Sequence, residues 1–435
     1  MYKRQILLTQ GQIDFDSGGV IGINGDGITI DANHSSRILS VSDSTLSIND
    51  VTLRNGSSNY GTIDVNNGSL DLINSTISGS TADNGGAINS RYSTVSLSNS
   101  TITQNSAVSY GGGIAAYYSD IQLSESTISQ NSTNFSTGAG LNLVFSNLVS
   151  ESNTMINGNI ASSPGGGIYA YNSNLNISNT SITNNRSNQG GGGISVTESN
   201  LAISNSSFSQ NQSNNGGAIL VFASQTNIEN TTLSNNSASR GAGVFSVYSG
   251  ANITNSTISA NNSTNSGGAI YTGPYNNRFN LRNTLIAGNT APVGAEIADF
   301  GAYGASVSIN SHNLLGHSGL TVSDAFFGIL PGSSDISATS DNPGGTTHIA
   351  TPLTSILSPL ADNGGNTLTH ALVSGSPALN NALFANCPLT DQRAEIRNSG
   401  DDGCDIGAFE YFPSDTESGF IVIRLQNGKV VVIPE

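Results

Sequence analysis

The sequence NSTISANNSTNSGGAIYTGPYNNRFNL, residues 255–281, recurs in varied form about ten times along the chain. Ten apolar residues occupy one position of this repeat from Ile63 to Ile297, so nine intervals cover 234 residues and one repeat is 26 residues long. Helical repeats are longer and need unbroken helix-forming runs, which this Gly-, Asn- and Ser-rich sequence does not supply. The pattern therefore disfavours a helical solenoid.

Each repeat contains three short runs in which apolar and polar residues alternate, as at 95–97, 100–103 and 168–170. Alternation with a period of two is typical of a strand that has one buried face. Three such strands per turn at a constant period predict an all-β fold, a single-stranded parallel β-helix of about eleven turns. Turns stacked at about 4.8 Å would form a rod about 50 Å long.

Asparagine recurs at one position in eight consecutive turns. The eight residues are Asn105, Asn131, Asn159, Asn185, Asn211, Asn236, Asn261 and Asn289. An amide carries both donors and acceptors, so identical amides stacked at strand spacing can bond along the pile. We expect a structural asparagine ladder at this corner, and a second one at the column that contains Asn74 and Asn99. Glycine pairs such as Gly267-Gly268 predict sharp bends before the third strand.

The composition limits the classes of partner. Charged residues make up 10% of the 435 residues and the net charge is −16, with two lysines, Lys3 and Lys429. This balance argues against binding to nucleic acid or to an anionic membrane. The longest apolar runs are far too short for a transmembrane helix. The apolar fraction of 36% is regularly spaced, which disfavours disorder.

Four segments are expected. Residues 1–5 are not a secretion signal, because no apolar stretch follows them. They are expected to be a fragment start or foreign to the fold, because residues 6–11 already have the pattern of a strand and a turn. Residues 6–310 form the β-helix and residues 311–412 a C-terminal region, where the regular period is lost. Residues 413–435 form a tail with two apolar strands around Asn427-Gly428, a signature of a type I′ hairpin.

The regular turns resemble a known family through their GGAI units, at 85–88, 216–219 and 267–270, and through FxxN at 208–211. These units resemble the paired repeats of bacterial polymorphic outer-membrane proteins, although Ile replaces Phe in most copies. The resemblance implies a right-handed, pectin-lyase-like β-helix on or outside a bacterial cell, and hence an extracellular or cell-surface location.

The C-terminal region carries a second resemblance. HALVSGSPALN at 370–380, DQR at 391–393 and CDIGAFEY at 404–411 together resemble the choice-of-anchor Q region that follows bacterial surface β-helices. Ala394 stands where that family usually has Gly. The clustered charges of this region are interpreted as a cap held by ion pairs, with a binding role as the alternative. The cluster comprises Asp391, Arg393, Arg397, Asp405 and Glu410.

The two cysteines, Cys387 and Cys404, lie close together in this turn-rich segment without a CxxC or a nearby His. A zinc site is therefore not expected, and a local disulfide is the better interpretation. A disulfide would place the protein in an oxidising compartment.

The sequence supplies no candidate catalytic residues, metal ligands or cofactor. Glycoside hydrolysis needs paired carboxylates, and polysaccharide elimination uses acids that hold Ca²⁺ beside a basic residue. The acids between Asp50 and Asp299 are instead spread over different columns, and no His occurs between His34 and His312. We expect a monomeric, non-enzymatic adhesin or binding scaffold for carbohydrates or other cell-surface ligands. The alternative is a carbohydrate-active β-helix enzyme, a polysaccharide lyase or a glycoside hydrolase.

The predicted binding surface is a stripe on the third strand of each repeat. Residues between and after the inward-pointing column must point outward, because successive side chains of a strand alternate. Many of these outward residues are aromatic, and exposed apolar patches tend to mark interaction sites. The candidates are Tyr117, Tyr169, Tyr171, Phe222, Phe245 and Tyr271. The alternative is that loops after the asparagine ladder cover this stripe.

Overall fold

The computed structural model describes residues 5–8, 11–16, 18–273, 278–301, 306–309, 311–397, 403–412, 420–424 and 430–434. Its main body is a coil of parallel strands whose turns have up to four faces, numbered here in chain order. The first two faces form one 25-stranded sheet, because the strands Val20–Asp31 and Thr45–Arg54 continue across the corner between them. The prediction of a parallel β-helix is confirmed.

The first and second faces carry the first two predicted runs of each repeat. The other strands of the first face are Ser69–Ile73, Thr94–Ser98, Asp120–Ser124, Asn147–Glu151, Asn174–Ser178, Asn200–Ser204, Gln225–Glu229, Gly250–Thr254, Arg278–Arg282 and Ser306–Ser308. Those of the second face are Gln5–Leu7, Thr76–Ser78, Thr101–Thr103, Thr127–Ser129, Thr154–Asn157, Thr180–Thr183, Ser207–Ser209, Thr232–Ser234, Thr257–Ser259, Leu285–Ala287, Leu314–Leu315, Ile336–Ser337 and Thr347–His348.

The third face is short and was not anticipated from the alternation pattern, because its strands are mostly polar. Its strands are Ser57–Tyr60, Thr81–Asn84, Ser106–Tyr110, Ser132–Thr133, Ile160–Ala161, Arg186–Ser187, Ser237–Arg240 and Asn262–Ser266. They form a six-stranded sheet and a separate pair. Turns that contain one of these strands therefore have four strands rather than three.

The fourth face is a 13-stranded sheet that carries the third predicted run. Its strands are Ile13–Phe15, Leu39–Ser42, Ile63–Asn66, Ile88–Arg91, Ile114–Tyr117, Leu141–Val144, Ile168–Tyr171, Ile194–Thr197, Ile219–Phe222, Val244–Val247, Ile270–Thr272, Ile297–Asp299 and Phe326–Phe327. The first two and the last lie outside the ten regular repeats, which is why the coil is longer than the predicted eleven turns.

Each corner of a turn needs a residue with left-handed backbone. In one turn these residues are Asn99, Gln104, Gly111 and Tyr118, with φ of 45°, 58°, 63° and 48°. At Gly111 a Cβ atom would lie 2.3 Å from the carbonyl oxygen of Ile114, so this corner requires glycine. Inside the corners, the inward residues of the first, second and fourth faces form one continuous apolar core.

The predicted column of eight asparagines forms a buried, directional hydrogen-bond chain. The Nδ2 atom of Asn105 donates to Oδ1 of Asn131 at 3.1 Å, and the backbone N–H of Asn105 donates to the same oxygen at 3.0 Å. This arrangement repeats from turn to turn until Asn289. Glu296 then accepts the last Nδ2 donation at 2.6 Å. The bonds from amide to amide therefore all point toward the C-terminal end of the coil. Each Nδ2 also donates to a backbone carbonyl of the preceding turn, as Asn105 does to Ile77 at 3.1 Å.

Two hydroxyl columns stack at other corners. At the corner between the first and second faces, the backbone N–H of Ser100 donates to Oγ of Ser126 at 3.1 Å. At the corner between the fourth and first faces, the N–H of Ser119 donates in the same way to Ser146 at 3.1 Å. The predicted second amide column lies beside the first of these. It includes exposed contacts such as Asn99 Nδ2 to Asn74 Oδ1 at 2.8 Å.

Parallel pairing continues past residue 310, through a short helix at Val322–Ala325, to the strand Thr347–His348. The chain then folds back over the second face. This part contains the 3₁₀ helices Leu353–Ser355 and Phe384–Asn386 and the antiparallel strands Leu357–Ala361 and Thr369–Leu372. It shares a second apolar core with the end of the coil.

Polar contacts fasten this C-terminal region to the coil. Thr232 Oγ1 donates to Gln392 Oε1 at 2.6 Å, and the N–H of Ala408 donates to Thr257 Oγ1 at 3.0 Å. Arg397 is 2% exposed and lies 3.2 Å from Glu410. The amide columns also take part, since Arg397 Nη2 donates to Oδ1 of Asn230 at 3.0 Å.

The two cysteines and the tail complete the described chain. Cys387 and Cys404 are joined by a disulfide. In the tail, Phe420–Arg424 and Val430–Pro434 pair as antiparallel strands. The predicted Asn427-Gly428 turn between them lies outside the described residues.

Candidate functional site

A groove of about 520 Å³ opens on the fourth face, beside its corner with the third. Ligand pockets in proteins commonly have volumes of about 300 to 1,000 Å³. The lining combines tyrosines, amides and small residues: Asn84, Asn89, Arg91, Tyr110, Ala115, Ala116, Tyr117, Ser136, Thr137, Asn142, Val144, Tyr169 and Tyr171. The groove crosses four turns, and three steps at strand spacing make its length about 15 Å.

The register of the parallel strands builds the floor and one wall. Each strand of the fourth face points its second and fourth residues away from the core. In four successive turns the second residues stack as the floor and the fourth residues as the wall. The floor residues are Asn89, Ala115, Asn142 and Tyr169. The wall residues are Arg91, Tyr117, Val144 and Tyr171.

The opposite wall comes from the third face and from the loop that follows it. Tyr110, 48% exposed, ends the strand Ser106–Tyr110. Thr137, in the next turn, donates its hydroxyl to Oδ1 of Asn142 at 2.6 Å. Asn142 is consequently 3% exposed, and Asn89 is 5% exposed. The loop therefore leans over the floor and leaves the outer wall open.

A charged cluster closes one end of the groove. The carboxylate of Asp64 lies 3.1 Å from Arg91 Nη2 and 3.4 Å from Arg37 Nη1, and it accepts from Asn89 Nδ2 at 2.7 Å. The guanidinium of Arg91 also lies over the ring of Tyr60, 4.9 Å from its centre. Asp14 also interacts electrostatically with Arg37, so two guanidinium groups at this end are matched by two carboxylates.

Two buried polar atoms at this end have no hydrogen-bond partner in the described structure: Oδ1 of Asn84 and Nε of Arg91. Buried polar atoms are almost always paired, so both stand out. At the other end, burial raises the pKa of the Tyr169 hydroxyl, while its hydrogen bond with Thr197 acts in the opposite direction. Tyr169 therefore keeps its proton at neutral pH and can both donate and accept.

The structure divides the predicted stripe in two. Tyr117, Tyr169 and Tyr171 meet in the groove. Phe222, Phe245 and Tyr271 do not line it. Phe222, 40% exposed, contacts Tyr248 edge-on at 5.7 Å. Phe245 stacks on Tyr271 at 4.9 Å, and Tyr271 is only 9% exposed because it also packs against Phe300 at 5.1 Å.

Several residues of the groove were not anticipated. Asn89 and Asn142 occupy the same strand position as Tyr169, so the repeat register could have identified them as part of one floor. Arg91 shares the position of Tyr117 and was detectable in the same way. Tyr110 could not be found by register, because it belongs to the third face, which the alternation pattern did not predict.

Two features are absent from the described part of the chain. There, no group of three or more His, Cys, Asp or Glu side chains is arranged to hold a metal ion. Within the same residues, none of the helices has both the length and the apolar character needed to cross a bilayer.

Comparison with known proteins concerns the middle of the chain. Residues 147–314 match the family model described as "Right handed beta helix region". This range covers six strands of the fourth face, from Ile168–Tyr171 to Ile297–Asp299, and lies C-terminal to the charged end of the groove. No curated protein matches the chain. The family match and the stacked parallel sheets together identify the chain as a parallel β-helix protein.

Proposed function

We propose that the protein is a secreted or cell-surface bacterial β-helix whose groove on the fourth face binds carbohydrate. The observation that carries this proposal is the meeting of tyrosines with amides that face the groove, whose volume is about 520 Å³. Tyrosine rings can pack against the C–H faces of sugars while their hydroxyls stay hydrated. Amides and hydroxyls supply the directional bonds that sugar hydroxyl groups need.

Each part of the groove has a role in this proposal. Tyr117 and Tyr171 on the outer wall, and Tyr110 opposite, provide the packing surfaces. Asn89 Oδ1, Asn142 Nδ2 and the hydroxyl of Tyr169 provide an acceptor and donors along the floor, because Asn89 Nδ2 and Asn142 Oδ1 are already bonded within the protein. A few polar groups in a mostly apolar lining are typical of sites that fix the orientation of a small ligand.

The location outside the cell has independent support. The disulfide between Cys387 and Cys404 belongs to an oxidising compartment rather than to a bacterial cytosol. The resemblance of the GGAI units and of CDIGAFEY to bacterial surface proteins points the same way. A surface of hydroxyl and amide side chains, with 10% charged residues, is also compatible with a protein displayed in that environment.

The groove favours recognition over cleavage. Glycoside hydrolysis uses a pair of carboxyl groups on either side of the scissile bond. Asp64, whose carboxylate contacts the lining residues Asn89 and Arg91, is 8% exposed and is also paired with Arg37. Its geometry fits a role in holding Arg91 in place. Assays for reducing sugars and for unsaturated products test the enzymatic alternative directly.

The test is binding to an array of neutral and acidic bacterial, plant and animal glycans. We compare the wild type with a Tyr110→Ser/Tyr171→Ser double variant. The matched control is Phe222→Ser, which changes an aromatic residue at the same strand position as Tyr171 but two turns away from it. We expect the wild type and the control to bind the same glycans and the double variant to lose at least tenfold in affinity. Equal binding by all three proteins, or no binding by the wild type, would contradict the proposal.

A further inference from the structure

A second aromatic feature lies at the corner that follows the fourth face. Tyr92, Tyr118 and Phe145 occupy equivalent positions in three successive turns, and we call them the corner stack. The rings of Tyr92 and Tyr118 are parallel, with centres 5.3 Å apart, and those of Tyr118 and Phe145 are parallel at 4.9 Å. The three residues are 58%, 44% and 38% exposed, so they lie outside the core.

The backbone at these positions does not favour aromatic residues. Tyr92, Tyr118 and Phe145 have φ of 52°, 48° and 50°, in the left-handed region. Bulky side chains are strained there, whereas asparagine and aspartate adopt it readily. The same corner holds Asp43 and Asn67 in the turns before the corner stack and Asn172 in the turn after it, and it holds a single aromatic residue, Tyr248, farther along the coil. Three consecutive turns therefore keep residues that the local backbone disfavours.

The corner stack is continuous with the groove. The ring of Tyr117 lies edge-on to that of Tyr118 at 4.5 Å and to that of Tyr92 at 6.1 Å. Phe145 meets Tyr171 edge-on at 5.8 Å. The corner stack thus extends the outer wall of the groove onto the neighbouring surface, with one ring added per turn.

We propose that the corner stack is an extension of the carbohydrate site and that the ligand is a linear polysaccharide chain lying along the coil axis. This inference rests on the function proposed above. The strained residues of the corner stack are exposed and gain no packing in the core. Backbone strain that is kept without such a gain points to a functional role. A row of similar groups repeated at every turn can be engaged simultaneously by a ligand that itself repeats. A single terminal sugar would reach only one or two of the rings.

The inference predicts how affinity depends on ligand length. The ligand series is a set of oligosaccharides of increasing length, prepared from the glycan that the wild type binds. Each unit that reaches another ring adds contacts within one complex, so affinity rises with length until the site is filled. For the wild type we expect at least a tenfold gain from the shortest ligand to the longest.

The decisive variant is Tyr92→Asn/Tyr118→Asn/Phe145→Asn, which places a residue suited to left-handed backbone at all three positions. The matched control is Tyr248→Asn, which makes the same change at the same corner, where φ is 56°, but away from the groove. We expect both proteins to fold. The affinity of the control should rise with oligosaccharide length as much as that of the wild type. The triple variant should bind short ligands normally and lose at least tenfold in affinity for long ones. Tyr118→Asn alone should give a smaller loss in the same direction.

The outcomes separate this inference from the function on which it rests. If the affinity of the triple variant rises with ligand length as that of the wild type does, the corner stack has no role in binding. The groove would then remain a carbohydrate site. A wild type whose affinity does not change with ligand length would overturn the linear-chain ligand. Failure of the wild type to bind any glycan would overturn both proposals.

Discussion

The Nδ2 atom of Asn289 donates a hydrogen bond to Oε2 of Glu296 across 2.6 Å, and this contact ends the asparagine ladder. Because each amide donates to the next one along the coil, the last member needs a partner that accepts. An ionised carboxylate accepts hydrogen bonds and donates none. The hydroxyl column beside it ends in the same way, since Asn313 donates to Asp335 Oδ1 at 2.9 Å. These two directional ladders therefore finish on buried acids.

Glu296 makes the stability of the coil depend on pH. Burial raises the pKa of this carboxyl from 4.5 to about 7, although Asn289 and the N–H of Gly288 favour its ionised form. The folded state thus holds the proton more tightly than the unfolded state. The contribution of Glu296 to stability is fully present below pH 4.5, decreases as the pH rises to about 7 and is constant above that. The total change is about 3 kcal/mol.

The measurement is urea unfolding of the wild type and of Glu296→Gln at pH 5 and pH 8. The glutamine does not titrate, so the free energy of unfolding of the wild type should decrease relative to that of the variant as the pH rises. Burial also raises the pKa of Asp335 and Asp405, and comparison with the variant removes their common contribution. Identical pH profiles for the two proteins would show that Glu296 does not titrate in this range.

Asn211→Leu tests the asparagine ladder at its centre. In the wild type, Oδ1 of Asn211 accepts from the backbone N–H and from Nδ2 of Asn185. Leucine would leave these buried donors with fewer partners, at a cost of about 1–3 kcal/mol. The control is Asn176→Leu, at an exposed position of the first face, where we expect a change within about 0.5 kcal/mol. Equal unfolding midpoints for the two variants would rule out a stabilising ladder.

The disulfide between Cys387 and Cys404 should stabilise the C-terminal region. On the chain-entropy model, a closed loop of this size contributes about 3 kcal/mol. Thiol titration of the denatured, unreduced protein should find no free thiol, and Cys387→Ser/Cys404→Ser should unfold at lower urea concentration. Two free thiols in the unreduced protein would contradict the assignment.

Arg397 and Glu410 test how the C-terminal region is held on the coil. Arg397→Met leaves the carboxylate of Glu410 buried without its cation, which commonly costs about 3–5 kcal/mol. We expect this variant to expose residues beyond 353 to limited proteolysis. Adding Glu410→Leu removes the unpaired charge, so the double variant should be more resistant than the single one. If the single variant resists proteolysis as the wild type does, the ion pair is not needed for docking.

The repeat register was predictable because the core imposes it. Ile63 and its equivalents must point inward in every turn, so a fixed apolar period survives in a sequence that otherwise varies. The ladder column was visible for the same reason, since a buried amide such as Asn211 must bond to equivalent residues in the neighbouring turns. The hydroxyl columns were harder to find, because Ser100 and Ser126 do not stand out in a serine-rich chain.

Contacts between distant parts of the chain were not predictable. Thr232 and Gln392 are 160 residues apart, and no local pattern indicates that they touch. The groove also depends on contacts that no local sequence pattern indicates. Tyr117, Tyr169 and Tyr171 could be placed on one face by their spacing, but the wall formed by Tyr110 and Thr137 depends on how an irregular connection folds.

The most direct test of the central claim is tyrosine nitration with and without a saturating oligosaccharide, read out by peptide mass spectrometry. The oligosaccharide is the one bound most tightly on the glycan array. A ligand in the groove should protect Tyr110, Tyr117 and Tyr171, whereas Tyr248, which is 48% exposed and lies outside the groove, should react equally in both samples. Equal modification of Tyr110, Tyr117 and Tyr171 with and without bound ligand would show that carbohydrate binds elsewhere on the protein.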